Sequence, residues 1–185
     1  VVCSAWRINA QPVAEFALAE IILALKHAPF RSRRMHSERR KPAGFASPGA
    51  ACSVVGLVGL GAIGRRVREL LRALDVRVLA HDPFVGAEEA EKLGVELAGL
   101  EELFRQSDAV SLHLPSVEAT RGLVGEALLR SMKPWATLIN TSRGSVIDEA
   151  SLVDVFATRD DIFALLDVTD PDPPTPDSPL YGLPN

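Results

Sequence analysis

A glycine-rich segment and an acidic residue beyond it carry the strongest chemical signal in this 185-residue sequence. Gly59-Leu60-Gly61-Ala62-Ile63-Gly64 follows an apolar run and opens a helical pattern, and Asp82 ends the next apolar run. In such a motif Gly59 permits a tight turn, Gly61 lets the backbone approach a pyrophosphate, and Gly64 lets helix and strand pack closely. The free N–H groups at the helix start then face the phosphates. The segment predicts a dinucleotide-binding site rather than a plain strand-to-helix turn.

Asp82 also bears on the choice of dinucleotide. Its carboxylate can accept hydrogen bonds from both hydroxyls of an adenosine ribose, and it would repel a 2′-phosphate. Pro83 and Phe84 follow it, so neither an arginine nor a lysine stands there to hold that phosphate. NAD is therefore predicted over NADP. The alternative is that Asp82 is a solvated turn residue of an Asp-Pro step.

Two further polar clusters follow apolar, strand-like runs. Leu112-His113-Leu114-Pro115 ends one run, and Asn140-Thr141-Ser142-Arg143-Gly144 ends another. Ligands of open parallel sheets bind at the carboxyl ends of strands, and a guanidinium is a rigid, two-pronged donor for a carboxylate. Arg143 is therefore a candidate carboxylate-binding residue, with a surface ion pair as the alternative. His113 could serve as a general base, but its place one residue inside a strand end favours a structural role.

The elements that must position these residues alternate between strand and helix. Strands are predicted at Val54–Val58, Val76–Ala80, Ala109–Leu112, Thr137–Ile139 and Phe163–Val168. Helices are predicted at 12–26, Ile63–Leu74, Ala87–Leu93, Leu100–Gln106, Gly125–Met132 and Asp148–Thr158. Near-continuously apolar strands separated by helices predict an α/β fold, a doubly wound parallel sheet covered on both faces.

Composition and cysteine count exclude several classes of protein. With 47% hydrophobic and 24% charged residues, the chain is globular rather than disordered or fibrous. By inspection, no apolar run approaches the roughly 20 residues of a membrane helix, so no membrane partner is expected. Cys3 and Cys52 predict two free thiols in a reducing cytoplasm, without a disulfide framework or a metal site.

Charge is unevenly distributed along the chain. Residues 1–50 hold eight Lys/Arg and three Asp/Glu, whereas residues 51–185 hold twelve and twenty-one. The basic surplus lies mostly at Arg31, Arg33, Arg34, Arg39, Arg40 and Lys41. Such a cluster could bind nucleic acid, but aromatic residues other than Phe30 and Phe45 are lacking around it. Residues 31–50 are therefore predicted as a solvated basic linker. Asp170–Pro179, with five prolines, is predicted as an extended connector.

These motifs together resemble the D-isomer-specific 2-hydroxyacid dehydrogenases. The resemblance covers Gly59–Gly64, His81–Pro83, Leu112–Pro115, Met132–Pro134 leading to Ile139–Gly144, Val146–Glu149 and Leu166–Val168, and 9–24 is similar to that family's interdomain helix. It implies an NAD-dependent oxidoreductase that transfers a hydride between nicotinamide and C2 of a small 2-hydroxy or 2-keto acid, commonly as a homodimer. It also implies a division into the end of a substrate domain with its hinge helix, a basic linker, a dinucleotide-binding domain and a connector, at 1–30, 31–50, 51–169 and 170–185.

The resemblance implies roles for individual residues. Arg143 matches the catalytic arginine that binds the substrate carboxylate and polarises its carbonyl. Asp172 stands where the family has a catalytic glutamate that orients a histidine; it is shorter by about 1.5 Å of reach, and it could instead be a solvated acid. Asp167 matches an acid near the nicotinamide carboxamide. The implied cofactor-binding residues are Gly59, Gly61, Ala62, Ile63, Gly64, Asp82, His113, Pro115, Thr141, Ser142, Arg143 and Asp167.

The family's acid/base histidine has no counterpart in this sequence. All four histidines, His27, His36, His81 and His113, precede Arg143. The sequence therefore resembles a dinucleotide-binding domain cut at both ends, and these residues alone are expected to lack turnover. Two alternatives are a non-enzymatic, corepressor-like protein that senses NAD, and a formate or phosphite dehydrogenase of the same superfamily.

Overall fold

The computed structural model of the protein describes residues 6–39 and 49–185, whose strands form one parallel sheet. The strands are β1 (Ser53–Val58), β2 (Val76–His81), β3 (Glu96–Leu97), β4 (Ala109–Leu112), β5 (Thr137–Asn140) and β6 (Phe163–Leu166). Their order is β3-β2-β1-β4-β5-β6, and every neighbouring pair is parallel. The predicted doubly wound sheet is confirmed, and its order reverses between β1 and β4. In open α/β sheets, ligands bind at that reversal.

Helices cover both faces of the sheet. They are α1 (Trp6–Leu25), α2 (Ala28–Glu38), α3 (Ala62–Leu71), α4 (Ala87–Leu93), α5 (Leu100–Gln106), α6 (Glu126–Ser131) and α7 (Glu149–Thr158). The predicted bounds of α4 and α5 agree with the structure, and those of α3, α6 and α7 differ by at most three residues at either end. The prediction missed β3, because a two-residue strand with both side chains exposed shows no apolar run.

The core consists of two apolar clusters, one on each face of the sheet. The first joins α1, α3 and α4 to the sheet through residues such as Ile21, Val55 and Val67. The second joins α5, α6 and α7 to the other face through residues such as Phe104 and Leu138. Because both faces are covered, β4 and β5 are buried along their whole length. This explains why the strands appear in the sequence as continuous apolar runs.

Helix α1 differs from its prediction at both of its ends. The helix begins at Trp6 rather than at Pro12, and Pro12 lies inside it. Tertiary packing carries the helix across this proline, since Ala10, Ala14 and Ala17 are all buried. By length and composition Ile8–Leu25 could cross a membrane, contrary to the expectation from inspection. Its buried alanine face is the arrangement of a core helix.

The prediction of a linker over residues 31–50 is wrong for residues 31–38, which form most of α2. Pro29 lies in the first turn of α2, where a missing N–H costs nothing, and α1 ends earlier, at Leu25. Between the two helices His27 has a positive φ of 50°. Arg40, Lys41 and Phe45 lie outside the described residues, as does Cys3, whereas Cys52 is an exposed free thiol.

One aromatic side chain anchors α2 to the sheet. Phe30 is 3% exposed, and its ring centroid lies 4.6 Å from that of Trp135 and 5.6 Å from that of Phe163. Arg33 stacks over Phe163 and donates hydrogen bonds to the carbonyl oxygens of Asp160 and Pro184. Part of the basic segment therefore packs against the end of the chain instead of being solvated. Residues 170–178 contain no helix or strand, as predicted for the connector.

The packing of α3 on β1 generates a stability prediction. A methyl group at Gly64 would lie 2.1 Å from the carbonyl oxygen of Gly59. Because this obstacle is backbone, Gly64→Ala is expected to lower the free energy of unfolding by about 1–3 kcal/mol in denaturant titration. Gly182→Ala is the control, since a methyl group there meets nothing within 4 Å. Equal stability of the two variants would contradict the close packing.

Candidate functional site

The glycine-rich turn is held between the ends of two strands. Gly59 has a φ of +95°, and a Cβ there would lie 2.6 Å from the carbonyl oxygen of His113. Its N–H donates to the carbonyl oxygen of His81 at the end of β2. Only glycine fits this combination of positive φ and close approach. The tight turn predicted at Gly59 and the close helix packing predicted at Gly64 are both present.

Gly61 is different, because the protein itself leaves space for a side chain there. Its φ of −71° suits any residue, and nothing lies within 4 Å of an added Cβ. Gly61 precedes α3, whose first turn has no side-chain cap. The backbone N–H groups of that turn therefore lack intrahelical partners. An open backbone beside free donors at a helix start suits a phosphate group.

The carboxylate of Asp82 is bound to the glycine-rich turn. Oδ2 accepts a hydrogen bond from the N–H of Leu60 at 2.7 Å, and Oδ1 accepts one from the N–H of Phe84 at 2.9 Å. Each carboxylate oxygen can accept a second hydrogen bond, so the predicted contacts with ribose hydroxyls fit this geometry. Asp82 thus has a structural role that the sequence did not show, since it ties the end of β2 to the turn after β1.

A cleft of about 540 Å³ lies at the carboxyl edge of the sheet, where the strand order reverses between β1 and β4. Of the predicted cofactor-binding residues, it brings together Gly61, Ala62, Ile63, His113, Pro115, Thr141, Ser142 and Arg143. The lining residues that the sequence did not predict are Asn9, Val13, Leu114 and Ser116. Asn9 and Val13 are four residues apart in α1, and this spacing could have indicated a shared face. Gly59, Gly64, Asp82 and Asp167 are not among the lining residues.

Two polar side chains on the wall of the cleft have no partner within the described part of the chain. Both ring nitrogens of His113 are shielded and unpaired, as is Oγ1 of Thr141. Buried polar groups are normally hydrogen-bonded, so these atoms suit the polar groups of a bound ligand. Burial lowers the pKa of His113 to about 4, so its ring is neutral at neutral pH. The backbone of His113 meanwhile packs on the turn, in keeping with the structural role expected for it.

The loop that carries Arg143 is organised by Asn140 at the end of β5. Oδ1 of Asn140 accepts hydrogen bonds from the N–H and the hydroxyl of Ser142, and Nδ2 donates to the carbonyl oxygen of Arg143. A Cβ at Gly144 would lie 2.0 Å from the backbone of Thr169, so the loop also packs against the segment that follows β6. An asparagine at the start of a turn commonly accepts a hydrogen bond from the backbone two residues on. This role of Asn140 could therefore have been predicted from the sequence.

The guanidinium of Arg143 is exposed at the wall of the cleft. It donates to the carbonyl oxygen of Ser142 at 2.6 Å. Of the acidic residues in the described ranges, none forms an ion pair with it. The surface ion pair considered as an alternative is therefore absent from the described structure. Arg143 keeps donors available for an anionic ligand.

The two predicted aspartates beyond β6 differ in position. The N–H of Asp167 donates to the carbonyl oxygen of Asn140, which places Asp167 at the carboxyl edge beside the Arg143 loop. Asp172 is exposed in the connector and is not among the residues lining the cleft. Its predicted catalytic role therefore stays a prediction.

The amino-acid sequence is similar to that of a known family of dehydrogenases. The profile of the family described as "D-isomer specific 2-hydroxyacid dehydrogenase, NAD binding domain" matches residues 18–185. A D-3-phosphoglycerate dehydrogenase of Archaeoglobus fulgidus is 36% identical over 180 residues, which are 96% of this chain and 34% of the relative. An (S)-sulfolactate dehydrogenase of Chromohalobacter salexigens is 38% identical over 179 residues, which are 95% of this chain and 57% of the relative.

A solved structure of the same family has a similar fold. A D-isomer specific 2-hydroxyacid dehydrogenase from Lactobacillus delbrueckii ssp. bulgaricus, in its NAD-complexed form, superposes with a TM-score of 0.77 at 27% identity. The match covers 87% of this chain and 50% of that one. The chain thus spans between a third and somewhat over half of the length of these relatives. NAD is the cofactor of the matched domain, and the open Gly61, the uncapped α3 and the unpartnered Thr141 fit it.

Gly61 provides a test of binding that is separate from folding. Gly61→Val places a side chain in the open space where the pyrophosphate would approach. We expect loss of NADH affinity by at least about tenfold, as measured by calorimetry, with the thermal unfolding midpoint unchanged. Gly99→Val, whose added Cβ also meets nothing within 4 Å, is the control and should bind NADH normally. Unchanged NADH affinity in Gly61→Val would place the pyrophosphate elsewhere.

Asp82 provides a test of cofactor choice. Asp82→Ala removes the predicted ribose acceptor and the negative charge that opposes a 2′-phosphate. We expect NAD affinity to fall about tenfold or more, on the scale of charge-assisted hydrogen bonds, while NADP affinity changes less. Fluorescence titration with NADH and NADPH measures both. If the unmodified protein bound both dinucleotides equally, Asp82 would not be the ribose ligand.

Proposed function

Because the chain belongs to the D-isomer specific 2-hydroxyacid dehydrogenase family, we propose that it supplies the NAD-binding half of an enzyme that interconverts a small 2-hydroxy acid and its 2-keto acid. The observation that carries this proposal is Arg143. Its guanidinium stands on the wall of the dinucleotide cleft without an acidic partner in the described residues. A permanently charged, planar donor at the place where a cofactor's reactive end would lie is suited to an anionic substrate.

Arg143 has two tasks in this proposal. It binds the substrate carboxylate through paired hydrogen bonds, and it withdraws electron density from the adjacent carbonyl oxygen. Bound NAD supplies the hydride chemistry. The Asn140 contacts and the packing of Gly144 on Thr169 fix the loop, so that Arg143 is held in place before substrate binds. Such preorganisation lowers the cost of orientation.

Proton transfer is the step for which the described residues offer no group. Arg143 remains protonated and is a poor acid, and His113 is neutral with a pKa of about 4. General acid catalysis requires a donor within hydrogen-bond reach of the carbonyl oxygen. We propose that a histidine outside these 185 residues serves as the acid and that Asp172 orients it. The 185 residues alone then bind cofactor without enzymatic turnover.

We also propose a homodimer and a cytoplasmic location. Phe16, Ile22 and Leu23 of α1 are 40–49% exposed, although they are large and apolar. Apolar side chains grouped on one helix are typical of a protein interface. The free, exposed thiol of Cys52 suits a reducing compartment.

The substrate contact can be tested without turnover. Oxalate is a planar, anionic mimic of a 2-keto acid, and in the NADH complex it should perturb the Arg143 Nε–H signal in nitrogen-15 NMR. Arg143→Gln is expected to weaken oxalate binding about tenfold or more, in line with the loss of a charge-assisted pair. NADH affinity should fall much less.

The matched control is Arg105→Gln. Arg105 lies on α5, and its guanidinium pairs with Glu102. It should leave oxalate binding unchanged. If Arg143→Gln bound oxalate as the unmodified protein does, Arg143 would not hold the substrate, and a role in sensing NAD would gain support.

A further inference from the structure

An arginine of α3 lies close to Asp82, on the far side of the glycine-rich turn. Nε of Arg65 donates to the carbonyl oxygen of Leu60 at 2.6 Å, and the N–H of the same Leu60 donates to Oδ2 of Asp82 at 2.7 Å. Because one residue's backbone joins these two contacts, no more than about 9 Å separates Nε of Arg65 from Oδ2 of Asp82. The sequence did not show this cation beside Asp82, since Arg65 precedes it by seventeen residues.

Arg65 also lines a second cavity, which neighbours the cofactor cleft. This cavity has a volume of about 440 Å³, follows α3 along its length and is bounded by Leu93 of α4. Ala62, at the start of α3, lines both this cavity and the cleft, so the two meet at the helix start. The guanidinium of Arg65 is therefore partly open to solvent beside the predicted phosphate site.

A glutamate of the neighbouring helix neutralises this guanidinium. Oε1 of Glu89, in the first turn of α4, accepts a hydrogen bond from Nη1 of Arg65 at 2.6 Å. Two nitrogens of Arg65 are thus engaged, Nε by the turn and Nη1 by Glu89. Both side chains are partly exposed, and such an ion pair contributes little to stability. The fold therefore does not depend on Glu89.

The other charged side chains around Arg65 have partners of their own in the described structure. On α3, Arg66 is paired with Glu69, and on α4, Lys92 is paired with Glu88. Two further arginines of the cavity donate to backbone carbonyl oxygens at the end of α4; they are Arg68 and Arg72. Among the acids of residues 6–39 and 49–185, Glu89 is the one that forms an ion pair with Arg65.

A phosphate on the 2′-oxygen of the adenosine ribose would reach Arg65. With charge-assisted contacts of about 2.8 Å to a carboxylate at one end and to a guanidinium at the other, a ribose 2′-phosphate spans about 8 Å. That span fits the gap between Asp82 and Nε of Arg65. The same phosphate would approach the carboxylate of Glu89, which lies 2.6 Å from Nη1 of Arg65. Arg65 and Glu89 together therefore present no net positive charge to it.

We propose that Glu89 is a specificity-determining residue, which disfavours a dinucleotide with a 2′-phosphate by holding Arg65 in an ion pair beside the adenosine ribose. A 2′-phosphate next to Asp82 needs a cation to offset its charge, and a guanidinium has the geometry to bind it. The preference for NAD then has two sources, repulsion by Asp82 and neutralisation of Arg65 by Glu89. This inference rests on the proposed function, because it needs the adenosine to lie at Asp82.

The test measures the dissociation constants of NADH and NADPH by fluorescence titration. Glu89→Gln keeps the size of the side chain and removes the charge that balances Arg65. In this variant NADPH affinity should rise about tenfold, on the scale of one charge-assisted hydrogen bond, whereas NADH affinity should stay nearly constant. Glu89→Ala removes the hydrogen-bond acceptor as well and should give the same gain, so either variant carries the test. Thermal unfolding checks that each variant is folded.

The matched control is Glu88→Gln. Glu88 lies in the same helical turn and is paired with Lys92, so this variant removes an equal charge without releasing Arg65. Its ratio of NADPH to NADH affinity should remain that of the unmodified protein. Adding Arg65→Gln to Glu89→Gln should abolish the gain in NADPH affinity. An equal ratio in Glu88→Gln and Glu89→Gln, or a gain that survives in the double variant, overturns the proposal and leaves the proposed function intact. Failure of the unmodified protein to bind NADH overturns both.

A second measurement isolates the 2′-phosphate from the rest of the dinucleotide. Adenosine 2′,5′-bisphosphate and 5′-AMP differ in that group alone, and calorimetry gives the affinity of each. The affinity ratio of these two probes should change between the unmodified protein and Glu89→Gln by the same factor as the ratio of NADPH to NADH. A change seen with the dinucleotides and absent with the two probes would contradict the proposal, because Arg65 would then act elsewhere than at the ribose.

Discussion

The site depends on one close contact, in which the backbone of α3 at Gly64 lies directly against the carbonyl oxygen of Gly59. No side chain fits between them, so the start of α3 is fixed over the carboxyl end of β1. That placement puts the free N–H groups of the first helical turn at the cleft beyond the carboxyl ends of β1 and β4. Asp82 secures the same turn from the other side through the N–H of Leu60. Free N–H donors are thus in place at the position where the sequence predicts a pyrophosphate.

The second half of the cleft is built from longer-range contacts. The Asn140 side chain shapes the loop after β5, and Gly144 lets that loop pack on Thr169 after β6. Helix α1 then closes the cleft with Asn9 and Val13. The residues that line the cleft are therefore held at one edge of the sheet.

The sequence predicted what short-range patterns encode. Strands buried on both faces appear as apolar runs, and the glycine spacing revealed the turn, so the sheet and the glycine-rich turn were predictable. Helix α2 was not predictable, because Phe30 is anchored by Trp135 and Phe163, which lie more than a hundred residues away in the sequence. The packing of Gly144 on Thr169 likewise exists only once β6 lies beside β5. The cleft does not include Asp172, whose partner is predicted outside these residues.

A crystal structure of the protein with bound NAD⁺ tests the central claim most directly. We expect a pyrophosphate on the backbone N–H groups of residues 61–63, an adenosine ribose on the carboxylate of Asp82, and a nicotinamide between Thr141 and Asp167. A dinucleotide bound away from the start of α3, or in the reverse direction with its nicotinamide at Asp82, would contradict it.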